Sequence, residues 1–172
     1  SEISFNSTGS KGSGIRLKQP DCSIINSRIE NNGNASNGGG IYAIEGGGYL
    51  YINNTIIIGN TATDGAGIAV YGNGGTLSCN IDSSLISYNI ADDNGGGIRA
   101  QESDVNIEYS EISHNIGALD GFGAGGEGTN LLIGLGTNSS GATDNNRAKN
   151  LGRLHQLEPF KLHLDNAGKG KI

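Results

Sequence analysis

The feature that most constrains this chain is a four-residue element, Ile-x-x-Asn, that recurs five times. It pairs Ile3 with Asn6, Ile29 with Asn32, Ile57 with Asn60, Ile86 with Asn89 and Ile112 with Asn115, at intervals of 26, 28, 29 and 26 residues between asparagines. A fixed period of that size marks a solenoid, in which each repeat is one supersecondary unit stacked on the next. A second element keeps nearly the same step: small residues followed by Ile, ending at Ile15, Ile41, Ile68 and Ile98 after Gly12, Gly38, Gly65 and Gly95.

Alignment on the asparagine separates inward from outward columns. Eight residues earlier stand Ile24, Ile52, Ile81 and Ile107; ten earlier, Cys22, Leu50, Cys79 and Val105; five earlier, Ser27, Thr55, Ser84 and Ser110. Between them run Ser23, Tyr51, Asn80 and Asn106, then Ile25, Asn53, Asp82 and Glu108, a mostly polar set. Alternation of period two is the pattern of a strand with one buried face. After the glycines, Ile15, Ile41, Ile68 and Ile98 face in with Leu17, Ala43, Val70 and Ala100, while Arg16, Tyr42, Ala69 and Arg99 face out.

Each copy thus predicts two or three short strands joined by tight corners. Such a coil cannot bury its own apolar face, and stacking of coils at about 4.8 Å does so. The expected fold is all-β, a right-handed parallel β-helix of four to five coils with a short irregular C-terminal tail. Asn6, Asn32, Asn60, Asn89 and Asn115 form its internal ladder, each amide bonding its neighbour from a sharp αL corner. The boundaries predicted are residues 1–136 for the solenoid, irregular from about 117, a linker over 137–150, and a basic cap or docking tail over 151–172. The tail reads as a short helical turn followed by a strand.

The 31 glycines and two prolines suit frequent corners, and the chain has no apolar run long enough to span a membrane. Residues 1–6 match only the last third of a coil, and the chain carries neither an initiating Met nor a signal peptide. It is therefore read as a processed or excised piece.

The pairing of Gly-Gly-(Gly/Ala)-Ile with hydrophobic-x-x-Asn resembles the repeats of the chlamydial polymorphic outer membrane proteins. It also resembles the wider set of bacterial surface proteins with right-handed β-helix passenger domains. The resemblance covers residues 1 to about 115. The family repeat carries Phe where this chain has Ile3, Ile29, Ile57, Ile86 and Ile112. It implies an extracellular or cell-surface adhesin or scaffold.

Several side chains are candidates for chemistry. Cys22 and Cys79 share an inward column two coils apart, about 9–10 Å, beyond the roughly 7 Å between Cα atoms that a disulfide spans, so both are expected to be free. Asp64, Asp92 and Asp93 meet at one corner and are the candidate Ca²⁺ ligands; no other cofactor is implied. The outward sheet face offers no carboxylates in adjacent coils for acid–base cleavage of a polysaccharide, although Asp82 stands beside Glu108 elsewhere. The expectation is a non-enzyme, with a polysaccharide lyase or hydrolase as the third reading. His114 stacks over Tyr88 as a solvent-facing turn residue. Tyr42, Tyr51, Tyr71, Tyr88 and Tyr109 are candidate contacts to glycans or a neighbouring subunit, and Asn34 and Asn53 are candidate N-glycosylation acceptors.

Charge divides the chain. Residues 1–144 carry five Lys and Arg against fifteen Asp and Glu, whereas 145–172 carry six against two. A basic tail with an alternating apolar run, including Arg153, Phe160, Lys161, Leu162 and Leu164, is suited either to capping its own last coil or to docking on a neighbouring copy. Such a tail on an acidic body does not suggest nucleic-acid binding. Two functions stand beside each other: an extracellular structural subunit that self-assembles into a filament or surface layer as a homo-oligomer or polymer, and an adhesin segment that binds glycans or host surfaces.

Overall fold

A computed structural model describes residues 1–45, 47–73 and 77–117. Beyond them it describes the backbone of the short strands Leu131–Gly134, Arg147–Ala148, Arg153–His155, His163–Leu164 and Gly170–Lys171. The chain is an all-β parallel solenoid of about four turns, and the described residues contain no helix.

Each turn visits four sheets. Sheet I holds Ile15–Lys18, Ile41–Ile44, Ile68–Tyr71, Ile98–Gln101 and Leu131–Gly134. Sheet II holds Asp21–Ile25, Tyr49–Asn53, Leu77–Asp82, Ser103–Glu108 and Arg147–Ala148. Sheet III holds Glu2–Ser4, Arg28–Glu30, Ile56–Ile58, Leu85–Ser87, Glu111–Ser113 and Arg153–His155. Sheet IV holds Ala35–Asn37, Thr61–Asp64, Ile90–Ala91 and Ile116–Gly117. All pairing within these sheets is parallel and in register with the repeat: Ile29 opposes Ile3 and Ile57, Ile68 opposes Ile41 and Ile98, and Ile81 opposes Ile52 and Ile107.

Sheet IV exceeds the two or three strands per coil that alternation predicts. Its strands run for two to four residues and bury only Ala35, Ala62, Ala91 and Gly117 on the inside. That is too short and too small a signal for period-two patterning to register. These alanines and Ala66 form a thin core of their own beside the main core of Ile, Leu and Val from sheets I to III.

The asparagine ladder is continuous. The side-chain oxygen of Asn60 accepts the backbone N–H and the Nδ2 of Asn32, both at 3.0 Å. The Asn60 Nδ2 donates to Asn89 Oδ1 at 2.9 Å and to the Ile29 carbonyl at 3.1 Å. Asn32 and Asn89 repeat the arrangement one coil either way, and Asn6 begins it from an exposed position by donating to Asn32 Oδ1. Every lone pair and proton that a buried amide must satisfy is used at Asn60, which is why a polar column is stable at the core edge.

The αL backbone expected at the ladder residues falls instead one residue earlier, at Phe5, Asn31, Gly59, Tyr88 and His114, with φ between 53° and 66°. The bend is made there, one residue before the ladder Asn, whose amide is buried from Asn32 to Asn115. A second buried ladder occupies the corner at the other end of sheet III, where the backbone N–H of Thr55 donates to Ser84 Oγ and that of Ser84 to Ser110 Oγ.

Both cysteines are free. Burial pushes the Cys79 thiol up to about 12 and raises that of Cys22, with Asp21 adding to the rise at Cys22. In the C-terminal part, Arg147–Ala148 pairs with sheet II inside the span expected to be a linker. Arg153–His155, expected as a helical turn, is a strand beside Glu111–Ser113, and His163–Leu164 pairs antiparallel with Gly170–Lys171. Extension of existing sheet edges satisfies backbone groups that an isolated helical turn would leave open. Phe160, Lys161 and Leu162 lie outside the described residues, as do the side chains of Arg153 and Leu164.

Candidate functional site

Where sheet IV turns into sheet I, a groove of about 320 Å³ runs along the solenoid axis, lined by Lys11, Asn37, Tyr42, Ile44, Asp64, Tyr71, Asn73, Arg99, Gln101 and Glu102. That volume is at the lower end of the roughly 300–1,000 Å³ usual for small-molecule sites. Its floor is the outward column of sheet I, in which Tyr42, Ala69 and Arg99 are register partners in successive coils. One wall is a column that immediately precedes the corner glycines: Lys11, Asn37, Asp64 and, one coil on, Asn94.

The corner glycines make this shape. Gly38, at φ 64°, lies in the left-handed region, and a Cβ there would stand 2.4 Å from the Ile41 carbonyl oxygen. The backbone therefore folds tightly from the wall into the floor.

Tyr42, expected to face solvent, is instead only 1% exposed. Its register neighbour Ala69 is small, so the ring settles against Tyr71, with centroids 5.7 Å apart, while Lys11 Nζ lies 5.4 Å from its centroid. Tyr42 has no free face for a ligand.

Asp64 organises the wall. Its carboxylate pairs with the Arg99 guanidinium and accepts Asn37 Nδ2 at 3.2 Å and Asn94 Nδ2 at 3.0 Å. Arg99 in turn lies over the Tyr71 ring at 5.6 Å. The Tyr71 hydroxyl accepts Asn37 Nδ2 at 3.0 Å. Burial pushes that phenol up to about 12; Asp64 and Tyr42 act in the same direction, and Arg99 opposes them.

The remaining candidates are dispersed. Asp64 is in step with Asp93 along sheet IV, but its oxygens are committed to Arg99 and the amides, and Asp92 is exposed. Among the described residues no three His, Cys, Asp or Glu side chains gather to hold a metal ion. Asp82 and Glu108 are register partners on the outer face of sheet II, where Asp82 accepts Tyr51 Oη at 3.3 Å and Asn53 Nδ2 at 3.0 Å. Tyr51 also stacks on Tyr49, on a different face from the groove. Tyr88 and His114 stack in parallel at 4.9 Å, both exposed, and Tyr109 is an isolated exposed corner residue. Asn34 is exposed at an αL position, whereas the Asn53 amide is engaged by Asp82.

The outward column of sheet I was legible as a column, but its partnership with Lys11, Asn37 and Asp64 was not. The available signal was a polar residue directly before each corner glycine, at positions 11, 37, 64 and 94.

Comparison with protein-family models, curated proteins and solved structures gives no significant match. The functional reading therefore rests on the groove. Among the described residues no helix is long and apolar enough to cross a membrane.

Proposed function

We propose that this chain is a rigid extracellular scaffold of the surface-adhesin kind and that the groove on sheet I is its carbohydrate-binding site. The observation that carries the reading is the lining. The amides of Asn37, Asn73 and Gln101 and the Tyr71 phenol line one open depression together with the aliphatic side chain of Ile44. Sugars are recognised by such mixtures, with hydroxyls meeting fixed donors and acceptors and ring faces meeting apolar surface. Coil spacing of about 4.8 Å is close to the advance of one hexose along a chain, so successive coils offer successive sugar units similar contacts. The resemblance to bacterial surface β-helix repeats points the same way.

The test is isothermal titration of the purified chain with a panel of neutral and acidic oligosaccharides, repeated on Tyr71→Phe and Gln101→Ala. Binding that both substitutions weaken supports the reading, provided thermal melts are unchanged. The absence of binding across the panel refutes it.

Self-assembly is a second reading with its own observation. Ile90 and Ile116, neighbours on sheet IV and 44% and 47% exposed, continue the stacked Tyr88 and His114 as an exposed, largely apolar ridge. Sedimentation that shifts with concentration, and loses the shift in Ile90→Ser/Ile116→Ser, would support it.

A further inference from the structure

From the placement of the few cations on an acidic solenoid, we infer that the groove selects an anionic glycan, one bearing carboxylates or sulfates, and that Lys11 and Arg16 hold the anion. The inference rests on the groove being a carbohydrate site, and it adds the ligand class.

Residues 1–117 hold only five Lys and Arg against twelve Asp and Glu. Four of the five belong to one side of the molecule: Lys11 and Arg99 line the groove, and Arg16 and Lys18 are the register partners of its lining residues Tyr42 and Ile44. The fifth, Arg28, lies on sheet III with Glu30 at 2.6 Å. Four of the five cations thus gather on the groove side of an acidic body: Arg16 and Arg99 share one outward column of sheet I, Lys18 stands in the next, and Lys11 is on the wall.

Two of the four are already neutralised, since Asp64 takes Arg99 and Glu45 takes Lys18 at 3.2 Å. Lys11 and Arg16 are exposed and have no carboxylate partner among the described residues. Lys11 lines the first-coil end of the groove, and Arg16 flanks it there as the register partner of Tyr42, close to the Gly12 that follows Lys11. Glu102 lines the opposite end. A ligand therefore meets positive potential at the first-coil end, which orients it with its anion on Lys11 and Arg16.

The step from Arg16 to Arg99 crosses three coil spacings, about 14 Å. The groove is thus matched to a short oligosaccharide rather than a single sugar, with amides and the Tyr71 hydroxyl available to its neutral units. An acidic peptide shares the charge but leaves the sugar-spaced amides without matched hydroxyls.

The experiment measures affinity of the whole chain for a galacturonate hexamer, a heparin-derived hexasaccharide, cellohexaose and a hexaglutamate peptide. Lys11→Gln, Arg16→Gln, their combination, and Arg28→Gln are compared with wild type. Arg28→Gln removes the same charge away from the groove. The expected result is binding of at least one acidic hexasaccharide tenfold or more above cellohexaose. Lys11→Gln and Arg16→Gln each weaken it about two- to fivefold, the range for exposed charge pairs. Arg28→Gln leaves it unchanged.

Equal affinity for cellohexaose and the acidic hexamers overturns this inference and leaves the carbohydrate groove standing. No binding to any sugar overturns both. Undiminished binding in the double variant places the anion elsewhere and overturns it, and hexaglutamate bound as tightly as the acidic sugars reassigns the groove to acidic peptides.

Discussion

Replacement of Asn60 by Ala tests whether the asparagine column acts as a buried hydrogen-bond ladder. Asn60 is fully buried. The substitution deprives the Asn32 backbone N–H and one Asn32 Nδ2 proton of their acceptor and the Ile29 carbonyl of its amide donor. Asn89 Oδ1 also loses the Asn60 Nδ2 and keeps the Asn60 backbone N–H; counting only the other three groups at about 1–3 kcal/mol each, the loss is at least about 3 kcal/mol. That is a large share of the roughly 5–15 kcal/mol that stabilises an ordinary domain. The same substitution at Asn6 is the control. Asn6 is exposed and contributes only one side-chain donor, to Asn32 Oδ1 at 2.9 Å, for which water substitutes, so it costs about 1 kcal/mol or less. Urea unfolding followed by far-ultraviolet circular dichroism gives both midpoints. Equal losses at the two positions, or less than about 1 kcal/mol at Asn60, would refute the ladder as the source of stability. Asn60→Asp sharpens the test. It puts a carboxylate against the Asn89 and Ile29 oxygens, which raises its folded-state pKa above the unfolded value near 3.9. The folded state then binds the extra proton, so this variant regains stability as pH falls from 7 toward 4 while wild type does not.

Gly67→Ala sets a Cβ 2.4 Å from the Gly97 carbonyl oxygen and should cost several kcal/mol or prevent folding, whereas Gly9→Ala meets nothing within 4 Å and should fall within about 0.5 kcal/mol; the two melting temperatures decide it. With both thiols free, non-reducing and reducing gels should agree, and a thiol reagent should label Cys22 in the native state but Cys79 only after unfolding. The folded-state pKa values of Cys79 and Tyr71, both raised to about 12 by burial, exceed their ordinary values of 9 and 10. Protonation therefore favours the folded state, and stability present below pH 9 is lost as pH rises from 9 to 12. Cys79→Ala should flatten that decline in urea titrations, and an unchanged slope would refute the assignment. Removal of the Asp64 charge in Asp64→Asn should lower the Tyr71 pKa, and Arg99→Gln should raise it, as read by its ring resonances on titration.

The repeat by itself determined the solenoid, its parallel pairing and the residue-by-residue register of sheets I to III. An apolar column repeated every 26 to 30 residues is buried by stacking like on like. The asparagine ladder was legible for the same reason, since an identical amide in every coil must meet its own copies. The tertiary structure alone decided what depends on unlike neighbours. Sheet IV is built from strands too short to show a period, and the left-handed bend falls on Asn31, Tyr88 or His114 rather than on the ladder residue beside it. Tyr42 is buried because Ala69 in the next coil leaves room for its ring and Lys11 and Tyr71 close over it, a contact among three coils that no single-coil alternation contains. The groove follows from the same cause: it exists where the end of one sheet turns sharply onto the next, so its residues converge only once the corner is folded.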